Sequence, residues 1–468
     1  MFGIGESKAK QKPRQQGLKI IIVGMGKAGS VLVEKLSDEG HDITIIDKNK
    51  QRLQALTNLY DVMAVEGNGA SFSVQQEAGI KDSDLIIAMT GSDELNLLCC
   101  MVAKRVAKCS AIARVRTPDY SKEIGYLRER LELAMIINPD FEAAREITDI
   151  LCLPDALEVN SFAHGQVELV QYKIEEGNIL DGVVISKLSD RIGVKMLICV
   201  LERDGEVIIP NGDVMLQKGD VISFVVTRRE AKLYLEKIHL HTDRVKDCMI
   251  VGGGRAAYYL ATNLINMGVS VKMIERDDKR CEELSILLPK ATIICGDGTD
   301  EETLKEEGID TIESFIPLTG IDEENILLTM YVNQVSKAKV VTKINRMNFK
   351  SVFSRLNLGS VVYPRYIVSE EIVAYVRAKN NSGNNPIETL YHLFDQRVEA
   401  LEFIIDKPSA VTDIPLMELS IKNDVLISFI NRNGRIIIPN GQDMIQVGDS
   451  VMVVTKHKGF TTILDILK

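Results

Sequence analysis

Residues 19–30 read KIIIVGMGKAGS and residues 248–259 read CMIVGGGRAAYY, each an apolar run entering a glycine-rich turn. Gly24 and Gly252 stand 228 positions apart, and the same step carries Asp47 to Glu275. A step of 229 carries Gly67 to Gly296, Thr90 to Thr319, Asn96 to Asn325, Arg114 to Lys343 and Pro210 to Pro439. So many matches at a nearly constant offset identify a tandem duplication, and whatever one half folds into the other must fold into as well.

Each repeat divides again. Its first part alternates short apolar runs with helical patterns: KIIIVG, DITIID, DVMAVEG, DLIIAMT, AIARVR and AMIINP in the first repeat. Continuous apolar strands separated by helices predict a parallel sheet covered on both faces. The second part is different in kind. LICVLERDGEVIIPNGDVMLQKGDVISFVVT and VLISFINRNGRIIIPNGQDMIQVGDSVMVVT carry strand runs broken by Asp204-Gly205 and Asn433-Gly434. Those dipeptides suit two-residue hairpin turns, in which both central residues take positive φ.

The fold class that follows is α/β: a tandem duplication of a Rossmann-like, doubly wound parallel-sheet domain plus a small α+β domain. The expected order is a basic tail at 1–17, a Rossmann-like domain at 18–137, a crossover helix or linker at 138–157 and a small domain at 158–241. The second copy runs as 246–363, 364–384 and 385–468, with RAKNNSGNNP at 377–386 as the most linker-like stretch before the last domain.

The chemistry is concentrated at the strand ends. Gly24, Met25, Gly26, Lys27, Ala28 and Gly29 form a GxGxxG turn between a strand and the helical SVLVEKLSDEG. In such a turn the first glycine permits the tight bend, the second lets backbone approach a pyrophosphate and the third allows close helix packing. Free N–H groups at the helix start then face the phosphates. Asp47, followed by Lys48, ends the next strand, where an acid accepts hydrogen bonds from the ribose hydroxyls of an adenosine. The second repeat offers Gly252, Gly253, Gly254, Arg255, Ala256 and Ala257, with Glu275 and Arg276 at the acidic position. The retained acid argues against a 2′-phosphate, and so against NADP. Gly67, Asn68 and Gly69, matched by Gly296, Asp297 and Gly298, read as turns or as loops against the adenosine. Thr90 and Gly91, matched by Thr319 and Gly320, follow the fourth strand, and Arg114 and Lys343 end the fifth. These lie at the carboxyl edge, where open sheets bind ligands. The two cations read equally as phosphate contacts or as solvated surface charges. An acid on the ribose does not separate NAD from ATP, ADP or AMP.

Composition narrows the alternatives. The net charge of -10 gives nucleic acid no electrostatic help, and no nucleic-acid partner is expected. The 8 cysteines form no CxxC pair, and no metal site is expected. No apolar run approaches the roughly 18 residues of a membrane span, and the start lacks the apolar core of a signal peptide. An NAD-dependent dehydrogenase would need a positioned acid or base, and His164 in NSFAHGQ stands without a visible partner. No catalytic residues are assigned. A DNA-binding sensor would need a helix-turn-helix segment and a basic face, and neither is visible.

The GxGxxG domain ending in an acid, the GN/DG loop, the T-G-x-D segment and the following E/R-x-I-I-P-N-G…G-D domain together resemble RCK domains, the regulators of potassium conductance. Two such units in one chain resemble the peripheral subunits of Trk potassium uptake systems, over residues 18–468. The resemblance implies NAD(H) and/or ATP/ADP as ligands and a homotetramer or other homo-oligomeric ring. It also implies a membrane-spanning, TrkH-like potassium channel or transporter subunit as partner, and a place on the cytoplasmic face of the plasma membrane. It makes the small domains RCK C-terminal domains, between which some relatives bind cyclic di-AMP. The chain departs from the family pattern at Ala257, Asn68 and Lys343. A ligand-sensing regulator without a transporter is the nearest alternative.

Overall fold

The computed structural model describes residues 17–121, 123–153, 155–194, 196–227, 229–239, 245–345, 356, 358–380, 385–394 and 396–468. All of the expected basic tail except Gly17 lies outside the described residues, as does 381–384 of the linker-like stretch.

The first sheet contains β1 (Lys19–Val23), β2 (Asp42–Asp47), β3 (Met63–Glu66), β4 (Leu85–Ala88), β5 (Ser110–Arg114) and β6 (Met135–Ile137), in the order β3-β2-β1-β4-β5-β6. Ile20, Ile21, Ile22 and Val23 are all at most 2% exposed, so β1 is covered on both faces, as a central parallel strand requires. The chain order reverses between β1 and β4, which opens a crevice at their carboxyl ends. The second copy repeats this order. It contains β12 (Asp247–Val251), β13 (Ser270–Glu275), β14 (Thr292–Cys295), β15 (Ser314–Pro317), β16 (Lys339–Lys343) and β17 (Ser360–Val362), arranged β14-β13-β12-β15-β16-β17.

The first small domain is an antiparallel sheet of β7 (Glu158–Phe162), β8 (Val167–Lys173), β9 (Leu197–Arg203), β10 (Glu206–Ile208) and β11 (Val221–Thr227). The second has β18 (Ile387–Leu393), β19 (Val398–Ile404), β20 (Val425–Arg432), β21 (Arg435–Ile437) and β22 (Ser450–Thr455). Their orders, β10-β9-β11-β8-β7 and β18-β19-β22-β20-β21, are the same sheet read from opposite edges. Asp204 (φ 53°) with Gly205 (φ 82°), and Asn433 (φ 52°) with Gly434 (φ 82°), make the expected positive-φ hairpin turns. The G-D signature also finds its physical reason. Asp220 accepts from Arg203 Nε and Nη2 at 2.7 Å each, and Asp449 accepts from Arg432 Nε and Nη2 at 2.8 Å each. The same carboxylates take the Gln217 and Gln446 N–H groups at 2.8 Å, closing the turn before the last strand.

The chain divides into two compact bodies, one running through Val115 with Glu123–Ile136, the other comprising Arg116–Lys122 and Ile137–Lys468. The first body holds the first Rossmann-like sheet. The second holds everything else, and two interfaces organise it. The crossover helix Pro139–Cys152, started by Asn138 Oδ1 on the Phe141 N–H, lays Ala143, Ala144, Ile147 and Leu151 in one core with Leu260, Ala261 and Leu264 of helix Arg255–Asn266. The two small domains share another core, in which Phe162 meets Tyr391 and Phe429 edge-on at 5.1 and 6.3 Å. At that second interface Ala163 N–H donates to Glu402 Oε2 at 3.0 Å, and His164 finds its partner in Glu388 at 3.4 Å. The second crossover helix, Pro364–Asn380, is locked to its small domain by Arg377, which forks onto Glu399 with two 3.0 Å hydrogen bonds.

The paired arginine and aspartate generate a prediction. Asp449→Ala strips Arg432 of both carboxylate oxygens, leaving it the Met444 carbonyl, frees the Gln446 amide, and is expected to destabilise the second small domain by about 2–4 kcal/mol. Thermal unfolding followed by circular dichroism checks this: the transition should move to lower temperature in Asp449→Ala and less in Asp449→Asn.

Candidate nucleotide-binding sites

Each crevice is built from backbone first. Gly24 (φ 95°) and Gly252 (φ 101°) hold left-handed conformations, and their amides donate to Ile46 and Ile274 carbonyls at 2.8 Å. A Cβ at Gly24 would stand 2.8 Å from the Thr90 backbone, and one at Gly252 2.9 Å from the Leu318 carbonyl oxygen. Gly26 and Gly254 differ: a Cβ there would meet nothing within 4 Å. These two residues cap the helices Lys27–Asp38 and Arg255–Asn266, and neither helix start has a side-chain cap. Uncapped N–H groups beside open space form a cradle for an anion. The residues therefore fit a nucleotide pyrophosphate.

The acids close over these loops. Asp47 accepts from the Met25 N–H at 2.6 Å and the Asn49 N–H at 2.8 Å, one on each carboxylate oxygen. Glu275 does the same with Gly253 at 2.5 Å and Asp277 at 2.9 Å. A carboxylate has about four lone-pair sites, so both acids keep acceptor capacity for a ribose diol. The Met25 side chain is buried, so only its backbone reaches the crevice, while Lys27, Lys48, Arg255 and Arg276 are exposed at its rim. Gly69 and Gly298 have a packing reason: a Cβ would lie 2.2 Å from Val23 Cγ1 and 2.5 Å from Val251 Cγ1. Where the first repeat has Gly29, whose Cβ would meet the Gly24 carbonyl at 2.2 Å, the second carries Ala257, itself only 1% exposed.

Beyond the fourth strand a fully buried asparagine ties the loops together. Asn96 Oδ1 accepts from Thr90 N–H and hydroxyl at 2.7 Å each, and Asn96 Nδ2 donates to the Arg114 carbonyl at 2.8 Å. Asn325 repeats this with Thr319 (3.0 and 2.8 Å) and the Lys343 carbonyl (3.0 Å). The two candidate cations are not solvated surface charges. The Arg114 guanidinium donates to the Thr90 carbonyl, and Lys343 Nζ donates to the Leu318 carbonyl at 3.1 Å. Burial pulls the Lys343 pKa down, opposed by Asp140 and Asp322. Hydrogen bonds from Thr299 hold Asp297 below the usual carboxylate range.

The second crevice encloses a cavity of 440 Å³, within the roughly 300–1,000 Å³ of small-molecule sites. All the second-repeat candidates except Gly296 line it. Ile321 of the T-G-x-D segment lines it as well, and sequence reasoning missed Arg116, Asp140, Thr299 and Glu324, which line it too. Arg116 and Asp140 precede Gly252 by more than a hundred residues and come from just after β5 and from the crossover helix of the first repeat. Tyr259 brings them in, its hydroxyl donating to the Arg116 carbonyl at 3.0 Å and accepting from Asn138 Nδ2 at 3.1 Å. The signal available in sequence was the Asn138-Pro139 helix start, which fixes where Asp140 begins a helix.

Comparison with known proteins agrees with this architecture. The TrkA-N domain model matches residues 20–139 and 248–364, and the TrkA-C domain model matches 169–239 and 400–468. The Trk system potassium uptake protein TrkA of Haemophilus influenzae is 29% identical over 445 residues, covering 94% of this chain and 96% of its own length. A TrkA homolog of Archaeoglobus fulgidus is 29% identical over 451 residues, covering 96% and 100%. Among solved structures, the GsuK channel bound to NAD is similar with a TM-score of 0.62 at 18% identity, over 95% of this chain and 78% of that one. The GsuK RCK domain gives a TM-score of 0.63 at 18% identity, over 95% and 93%. With both domain types found twice and in alternation, the chain belongs to the TrkA family.

Proposed function

We propose that this chain is the peripheral regulatory subunit of a potassium uptake system. It binds adenine nucleotides, NAD(H) and/or ATP/ADP, at two sites and gates potassium flow through a membrane-spanning partner. The observation that carries the reading is the uncapped glycine cradle with its facing acid, present in both repeats and opening in the second onto a 440 Å³ cavity. The domains at 18–137 and 246–363 are the nucleotide domains, and those at 158–241 and 385–468 transmit their state. Relatives named as Trk potassium uptake proteins, matched over nearly their whole length, support the transport role. Similar solved structures of GsuK bound to NAD and bound to ADP support the ligand class. Among the described residues no helix is long and apolar enough to cross a membrane, so flow through a separate membrane subunit is the natural arrangement. A homo-oligomeric ring on the cytoplasmic face completes the reading.

The residues divide the work. Amides at Gly26 and Gly254 hold the pyrophosphate, Asp47 and Glu275 orient the ribose, and the Asn96 and Asn325 networks keep the fourth and fifth strand exits in register beneath it. A bound nucleotide supplies phosphate charge, and its amount differs between ligands. In the second crevice that charge meets cations (Arg116, Arg255, Arg276, Lys343) and acids (Asp140, Glu275, Asp297, Glu324) together. Ligands of different phosphate number therefore differ in affinity for any two arrangements of these groups. Only such a difference can shift a conformational equilibrium, since equal affinity for both states shifts nothing.

The test is potassium flux through vesicles holding a Trk-type membrane subunit with this protein added. Exchanging ATP, ADP, NAD and NADH should change flux by about fivefold or more between the best and worst ligand. The change should disappear with Asp47→Ala combined with Glu275→Ala. Flux that is the same with every nucleotide, and without any, contradicts the proposal.

A further inference from the structure

The acidic edge of the second crevice carries two cysteines that nucleotide binding does not use. Cys281 sits in the first turns of helix Asp278–Leu287, and Cys295 ends β14, paired in register with Glu275. Cys281 Sγ donates to the Glu275 carbonyl at 3.2 Å, and Cys295 Sγ donates to Asp278 Oδ1 at 3.0 Å. Both thiols therefore stand at the end of β13, one on the Glu275 carbonyl and the other on the residue paired with Glu275, held to a side chain three residues before Cys281. Cys281 is buried and Cys295 is exposed, the one exposed cysteine among the described residues. The corresponding positions of the first repeat are Leu53 and Glu66, so the pair belongs to the second site alone.

This corner also holds the phosphate loop. One residue before Cys281, Arg280 Nε donates to the Gly253 carbonyl at 2.8 Å, while Glu275 takes the Gly253 N–H. Helix Asp278–Leu287 therefore grips the loop from one side and the end of β13 from the other. A displacement of Cys281 is therefore passed to Arg280, its neighbour in the helix, and through it to the Gly253 carbonyl.

We propose that Cys281 and Cys295 form a reversible disulfide that weakens nucleotide binding at the second site and leaves the first untouched. The oxidant is a low-molecular-weight disulfide. The Cys295 thiol loses its proton to solvent base, and the thiolate attacks one sulfur of the small disulfide and expels the other half, which takes up a proton from solvent and leaves as a thiol. Cys281 then attacks the mixed disulfide at the Cys295 sulfur and releases the second half as a thiol. One small disulfide and two protein thiols thus give one protein disulfide and two small thiols. Hydrogen bonds to Cys281 and Asp278 push the Cys295 pKa up to about 12. Since the thiolate is the attacking species, the exchange is slow near neutrality and accelerates as pH rises. The effect on affinity rests on the two-site reading above; the disulfide itself does not.

The experiment uses the full chain, reduced and then treated with oxidised glutathione at mildly alkaline pH. Peptide mapping reads the link, and calorimetric titration with ADP reads the two sites before treatment, after it, and after dithiothreitol. The expected result is a Cys281–Cys295 cross-linked peptide, with second-site ADP affinity lowered roughly tenfold, about the loss of one good hydrogen bond. First-site affinity should hold, dithiothreitol should restore the second, and Cys295→Ser should be immune. Glutathione left on Cys295 without a cross-link, or cross-linked protein that binds ADP as before, overturns the inference. Reduced protein that binds no ADP at either site, with the cross-link mapped, overturns the nucleotide reading and its coupling to the thiols instead, and upholds the disulfide.

Discussion

Small side chains on two helices set the geometry of the larger body. Ala143 and Ala144 on Pro139–Cys152 share a core with Ala257 and Ala261 on Arg255–Asn266, with all four at most 1% exposed. Short side chains let two helices approach closely, and Ile147, Leu151, Leu260 and Leu264 fill the flanks. Phe141 stands edge-on to Tyr259 at 5.5 Å, an arrangement worth about 0.5–1.5 kcal/mol beyond its buried area. The helix that follows the first Rossmann-like sheet is thereby part of the second one's core. Residues of both repeats meet at the second crevice for this reason, and the Tyr259 hydroxyl seals the arrangement between Arg116 and Asn138.

The two crevices share a backbone plan and differ in their surroundings. In both, an acid at the end of the second strand holds the glycine loop by its middle amide, and a buried asparagine six residues beyond the fourth-strand threonine fastens the neighbouring exits. Duplication preserved this hydrogen-bonded frame. The periphery drifted, with Ala257 for Gly29, Lys343 for Arg114, Asp297 for Asn68, and a cysteine pair where the first repeat has Leu53 and Glu66. Frame residues cannot change singly, because each buried backbone group they satisfy would be left without a partner. The positions that drifted lie outside that frame, so the two crevices keep one backbone plan while their surrounding side chains differ.

Much of this is legible in the sequence itself. A constant offset revealed the duplication, periodicity separated the parallel sheets from the antiparallel ones, and Asp204-Gly205 and Asn433-Gly434 announced their turns. Local chemistry was legible because it depends on neighbours in sequence. The misses share the opposite character. Arg116 and Asp140 reach the second crevice only through a helix–helix contact, and no spacing rule connects them to Gly252. The forked pairs Arg203–Asp220 and Arg432–Asp449 span 17 residues across a hairpin, so the G-D signature was visible while its partner was not. Arg114 read equally as a phosphate contact or a solvated surface charge, and its bond to the Thr90 carbonyl removes the second of these readings. His164 lacked a partner in sequence because Glu388 belongs to the other repeat.

The central claim is that one chain carries two adenine-nucleotide sites of the same backbone design. Calorimetric stoichiometry tests it most directly, using Gly26→Val and Gly254→Val, since a Cβ at either position meets nothing within 4 Å in the protein and stands in the open space where the pyrophosphate would lie. The account predicts two nucleotides bound per wild-type chain, one per chain in either variant and none in the double variant, with thermal unfolding unchanged. Full binding retained by the double variant would contradict it.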